Sequence, residues 1–283
     1  MINTWYFNVI IYLILDVLFT QFYKIATKSS KNDGSLTVLM ELLGGFIVLL
    51  FIPFFPIQFP KNLNTYIFLG IAIVFYAITC RVNTTTRRTL DVSTYSILSQ
   101  LSTVFVITWG ILFLKEEIVL KELFGAFLIL LGNVFVLYKK KKVEFNKYII
   151  IHLLGTLSMS IAISIDVGIS NQFNMPFYVG LILILPSLLI LLVERIKIND
   201  IKLEFKNGNK KAILFIGFIW GITIIERLRA YKFGTITTIA PLIATRTILN
   251  VFAAYFILKE KDSLWKKVFA ALIVVIGTVL IKI

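Results

Sequence analysis

Leu114-Lys115-Glu116, followed by Gly125-Ala-Phe-Leu-Ile-Leu-Leu-Gly132, returns 144 to 145 residues later as Leu258-Lys259-Glu260, followed by Ala270-Ala-Leu-Ile-Val-Val-Ile-Gly277. In both places an apolar run closes on the same charged pair and a second apolar run restarts after a short charged stretch. That recurrence marks an internal duplication. Working outward, runs long enough for a spanning helix, which needs about 20 mainly apolar residues, fall at 4–24, 35–56, 64–84, 92–114 and 118–138. Five more fall at 147–169, 175–193, 212–231, 235–257 and 264–281. The expected fold is an all-α integral membrane protein of ten transmembrane helices. It divides into two five-helix repeats, residues 1–142 and 143–283. A duplicated membrane unit places its working site between the two copies, near the midplane, where carriers alternate access by rocking one copy against the other.

Composition supports the membrane reading. The chain is 58% hydrophobic and 16% charged, with a mean hydropathy of +0.90, far from the balance of a soluble domain. Its net charge of +14 gathers in the short connections, where it sets orientation and meets anionic lipid, so nucleic acid is not an expected partner. The connections after the first, third, fifth, seventh and ninth runs hold 21 of the 29 basic residues, against 7 on the opposite side. The positive-inside rule then puts the basic side in the cytoplasm and both termini outside. Lys outnumbers Arg 22 to 7, a bias that suits a bacterial inner membrane. The first run lacks a basic leader and a small-residue cleavage site, so it is expected to remain as a helix. Cys80, the one cysteine, reads as a small buried apolar side chain.

Enzymatic readings have little to stand on. No His-Glu-x-x-His, Gly-x-Ser-x-Gly, P-loop or Cys/His cluster occurs, and one histidine, His152, cannot build a metal site, so neither metal nor cofactor is expected. An intramembrane hydrolase working through Asp16 and Asp166 is the remaining enzymatic alternative. A non-transporting membrane assembly is another.

The stretch Arg88-Thr-Leu-Asp-Val-Ser-Thr-Tyr-Ser-Ile-Leu98, running into Ile111 to Glu116 and then Gly125 to Gly132, resembles the repeat of the drug/metabolite transporter superfamily, EamA type. Arg229-Ala-Tyr-Lys-Phe-Gly-Thr235, Phe256 to Glu260 and Ala270 to Gly277 resemble its second copy. The resemblance implies two inverted five-helix halves around a central cavity in a carrier of small metabolites. Lys115 and Lys259 stand where the family has glycine before the terminal glutamate. Glu41 stands where many members carry an arginine in the second helix.

An ionised group at mid-bilayer costs about 2.5 to 3.5 kcal/mol on insertion scales, so those present face a cavity or a partner. Asp16, Glu41, Asp166 and Arg246 are the candidates for substrate binding or coupling; Glu226, beside Arg227 and Arg229, reads as an interfacial cluster. Asp16 and Glu41 are expected to project into the cavity as proton or cation sites. Arg246 is expected beside Glu41 or Asp166, or else on a carboxylate or phosphate of the substrate. Trp109 and Trp220 could frame a cation–π box for an ammonium. Gln100, with Ser99, Ser102 and Thr103, and Asn250 in the other half, offer neutral hydrogen bonds at corresponding depth. Pro186 and Pro241 are expected to kink their helices. Glu116 and Glu260 read as boundary residues, and His152 as an interface side chain. The expected substrate is a small amino-acid-like or amine metabolite, moved by uniport, exchange or proton coupling, with multidrug efflux as the alternative. The partners are that small molecule, the bilayer and protons, in a monomer or homodimer.

Overall fold

The computed structural model describes residues 5–90, 95, 98–138, 146–257 and 264–282. Among these, regular structure is helical: α1 Trp5–Ser29, α2 Asp33–Leu49, α3 Leu63–Thr89, α4 Leu101–Phe113, α5 Leu120–Leu137 and α6 Lys147–Ile169. The chain continues with α7 Met175–Val193, α8 Ile198–Asn207, α9 Lys210–Phe233, α10 Ile236–Ala244, α11 Arg246–Ile257 and α12 Leu264–Lys282. Asparagine opens five of them: Asn32, Asn62, Asn146, Asn174 and Asn209 each accept a backbone N–H of the first turn. A side-chain oxygen there satisfies one of the donors a helix start leaves unpaired.

Four helical segments, 5–29, 63–89, 147–172 and 175–193, are long and apolar enough by length and composition to cross a membrane. Outward faces are apolar as well: Ile10 and Ile14 on α1, Ile67 and Ile71 on α3, Phe124 and Phe127 on α5, and Val275 and Ile276 on α12 are exposed. Apolar surface on this scale is matched by lipid and not by water.

Several expected boundaries move. The second run ends as helix at Leu49, and Pro53 sits in a short 3-10 turn at Ile52–Phe54. The ninth run breaks at Thr245 into α10 and α11, with Pro241 inside α10; Pro186 leaves α7 unbroken. Most of the first turns expected before Gln100, and Lys259 and Glu260, lie outside the described residues. The polar stretch 194–211 contains an unexpected helix, α8. Ile201 and Phe205 turn from it toward the bundle, and buried Glu204 accepts the N–H groups of Lys31 and Asn32.

Three helix pairs cross closely and in opposite directions. A Cβ on Gly125 of α5 would lie 2.7 Å from the Gly277 carbonyl of α12, and Gly132 faces Ala270, so positions rising along one helix fall along the other. In α2 and α7, Gly45 faces Ile184 while Leu49 faces Gly180. Gly110 of α4 faces Ile236, while Gln100 Nε2 donates to Thr247 Oγ1 at 2.6 Å. Two further antiparallel pairs mirror each other. On α1 and α9, Phe19 stacks on Trp220 with centroids 4.2 Å apart and Phe22 meets Phe215. On α6 and α3, Asp166 meets Tyr76 while His152 meets Thr86. Small residues let the crossing backbones approach, which is how membrane helices gain packing without a hydrophobic drive between them.

Candidate substrate site

Tyr12 and Asp16 are one helical turn apart on α1, so both face the same way. The Tyr12 hydroxyl donates to Asp16 Oδ1 at 3.1 Å and accepts from Arg246 Nη1 at 2.7 Å; the same Arg246 nitrogen reaches Asp16 Oδ1 at 3.2 Å. Arg246 therefore pairs with Asp16, not with Glu41 or Asp166. The reason is tertiary: α11 lies on α1, whereas Asp166 faces α3, α7 and α9.

The second pair is deeper. Asp166 is 0% exposed and Arg227 4%. Tyr178 donates to Asp166 Oδ1 at 2.7 Å, Tyr76 donates to Oδ2, and Arg227 Nη2 lies 3.4 Å from Oδ2 and donates to Tyr76 at 3.0 Å. A buried carboxylate in this setting has its lone pairs occupied by two hydroxyls and a guanidinium, which is what makes its burial tolerable. Of the expected cluster, Glu226 and Arg229 pair with each other 3.1 Å apart, and Arg227 pairs elsewhere. Adjacent helix positions point about 100° apart, and that turn sends Arg227 inward.

Glu41 has neither arrangement. Trp220 Nε1 donates to Glu41 Oε2 at 3.1 Å, the Cys80 thiol lies beside it, and no basic group pairs with it among the described residues. Trp220 also stacks on Phe19, while Trp109 gives its Nε1–H to Ser160 at 2.9 Å, on the other side of the bundle. The two tryptophans thus form no common box. Asn250 accepts from Gln21 Nε2 at 3.3 Å, and Gln100 pairs instead with Thr247 and with Asn133 Nδ2 at 3.2 Å. His152 is a buried side chain held between Thr86 at 3.1 Å and Ser99 at 3.0 Å.

A cavity of about 40 Å³ lies at the centre, walled by Tyr12 of α1, Ser99, Gln100 and Ser102 before and on α4, Arg227 of α9 and Arg246 of α11, with α6 and α10 closing it. Both halves line it. Asp16 and Asp166 do not, nor do Glu41, Trp220 and Asn250. That volume admits a few waters or a small functional group. A second, wider groove of about 730 Å³ between α3, α4 and α6 is lined by Trp109, Phe113 and Phe68.

Sequence reasoning missed Arg227, Tyr76 and Tyr178, and it missed what Glu116 does. Both oxygens of Glu116 accept backbone N–H groups at the start of α10, from Ile236 at 2.6 Å and Thr237 at 2.9 Å. The boundary glutamate of the first half caps a helix of the second. The preceding Lys115 has φ 55°, a left-handed backbone that suits glycine.

Residues 4–138 match the model of the EamA-like transporter family. Among solved structures, a crystal structure of a protein superposes on the chain with a TM-score of 0.75 at 13% identity, covering 98% of both chains, a likeness of fold. No curated protein matches the sequence.

Proposed function

We propose that the whole chain is a two-repeat carrier of the drug/metabolite transporter superfamily, a reading supported by the match of residues 4–138 to the model of the EamA-like transporter family. It moves a small, amino-acid-like metabolite by alternating access between residues 1–142 and 143–283. One observation carries this reading: each of the pairs α5 with α12, α2 with α7 and α4 with α10–α11 joins a helix to its counterpart in the other half, and each crosses antiparallel. A unit with an odd number of spans, repeated once, reverses its direction in the bilayer. Its members then meet their own images antiparallel. The pairing of α1 with α9 repeats as that of α6 with α3, as the same symmetry requires.

Mechanism follows from where the charges sit. Arg246 on the cavity wall joins the halves by its pair with Asp16 beside the cavity, and Arg227, also on the wall, joins α9 to Asp166 of α6 behind it. Rocking the halves opens the cavity to one side at a time while each buried charge keeps or exchanges its partner. The break at Thr245 gives the ninth span a joint beside the cavity, and Asn133 Nδ2 holds the Ala244 carbonyl freed there at 2.9 Å. Glu41, a carboxylate without a basic partner among the described residues, is the proton site that couples transport to a pH gradient. The membrane is the bacterial inner membrane, with the basic connections cytoplasmic and both termini outside. The cavity is complete within one chain, so a monomer suffices.

Against the hydrolase alternative, Asp16 and Asp166 are enclosed by separate tyrosine and arginine sets and share no partner among the described residues. Counterflow in proteoliposomes against a metabolite extract tests the carrier reading, and the absence of any exchange sinks it. Glu41→Gln should retain exchange and lose uptake driven by a proton gradient. Normal gradient-driven uptake in that variant would remove Glu41 as the coupling site.

A further inference from the structure

The central cavity presents donors and almost no counter-charge. Arg227 and Arg246 both line it, together with the amide of Gln100 and the hydroxyls of Ser99 and Ser102, while among the described residues no aspartate or glutamate does. Asp166 lies behind Arg227, its two oxygens turned to Tyr76 and Tyr178. Arg227 spends Nη2 on that pair, and its Nε–H, buried on a residue 4% exposed, has no hydrogen-bond partner among the described residues. A buried guanidinium donor without an acceptor is costly, and it calls for an acceptor from outside the protein. Arg246 has a side chain 34% exposed and uses only Nη1 toward Tyr12 and Asp16 among the described residues. It also opens α11, whose N-terminal dipole end adds positive potential at the same place.

We propose that this cavity binds the carboxylate of the transported metabolite, with Arg227 Nε–H and the free edge of Arg246 as its donors and Gln100 as a neutral neighbour. Planar guanidinium groups match carboxylates in charge and in fork geometry. At about 40 Å³ the cavity accommodates the carboxylate and little else, so the remainder of the molecule enters when the halves part. Among the described residues an ammonium finds no carboxylate on these walls, which turns the substrate from an amine toward an amino acid or an organic acid. This inference rests on the carrier reading.

Thermal unfolding of the full chain in detergent, at constant ionic strength, with acetate, glycine, acetamide and methylammonium as size-matched probes, tests it. Acetate and glycine should raise the unfolding temperature in a saturable way, and acetamide and methylammonium should not. Tighter binding of glycine identifies an amino-acid site, and tighter binding of acetate an organic-acid site. Neutralising the pair as Arg227→Gln with Asp166→Asn leaves no buried charge orphaned and should weaken carboxylate binding about tenfold or more. Should that protein not fold, Arg246→Gln with Asp16→Asn makes the same test at the more exposed pair. Stabilisation by methylammonium, no response to acetate and glycine, or an undiminished response in the paired variant would overturn the assignment. Counterflow of the metabolite extract continues in that event if the chain is a carrier, which separates the two failures.

Discussion

The two buried ion pairs differ in depth, and a pair of double-mutant cycles should read that difference as energy. Replacing Arg227 by Met leaves Asp166, 0% exposed, with two tyrosine donors and no cation. Removing one partner of a pair this deep costs about 3 to 5 kcal/mol. Asp166→Asn should cost a similar amount, because Arg227 would then be the uncompensated charge. In the double variant neither charge is stranded, so its loss should fall short of the sum of the singles by about 1 to 3 kcal/mol. Arg246 has a side chain 34% exposed, and its pair with Asp16 is softened by that exposure. The corresponding coupling should stay below about 1 kcal/mol. Equilibrium unfolding in mixed micelles with increasing denaturing detergent measures all of these. Additive losses at Arg227 and Asp166, or a larger coupling at Arg246 and Asp16, would refute the reasoning.

Further outcomes concern packing, strain and orientation. Lys115→Gly should stabilise by about 1 kcal/mol, since the backbone there is left-handed at φ 55° and glycine bears no penalty for that conformation; an unchanged or lowered unfolding midpoint would count against it. Gly277→Ala should destabilise by about 1 to 3 kcal/mol, because its Cβ would lie 2.6 Å from the Gly125 carbonyl, while Gly70→Ala, with nothing within 4 Å, should be neutral or mildly stabilising. Equal effects at the two glycines would mean that the α5–α12 crossing is looser than described. A single cysteine at exposed Lys206 in a Cys80→Ser background should be shielded from an impermeant thiol reagent in whole cells, and labelling from outside would reverse the orientation.

The recurring apolar pattern was legible because Gly132 returns as Gly277, and these two with Gly125 stand where backbones touch. Asp16, Glu41, Asp166 and Arg246 were legible by contrast, as charges inside apolar runs. Their partners were not, because which helix lies against which depends on the tertiary packing and not on spacing along the chain. Arg227 was hidden by its charged neighbours Glu226 and Arg229, which suggested a common interfacial role. Tyr76 and Tyr178 were lost among 11 tyrosines and 25 phenylalanines. Tyr12 had a readable signal, four residues before Asp16 on one helix face. α8 was obscured by its charge, although Ile198, Ile201 and Phe205 carry a weak helical period.

The contacts that join the halves also impose an order in time. Arg246 follows Asp16 by 230 residues and Ile236 follows Glu116 by 120. At about 5 to 20 residues per second of synthesis, Asp16 waits about 12 to 46 s for its guanidinium and Glu116 about 6 to 24 s for the helix it caps. The N-terminal half therefore sits in the bilayer as an unfinished piece, its acidic side chains awaiting groups not yet made. Having both halves on one chain guarantees that these groups arrive next to it.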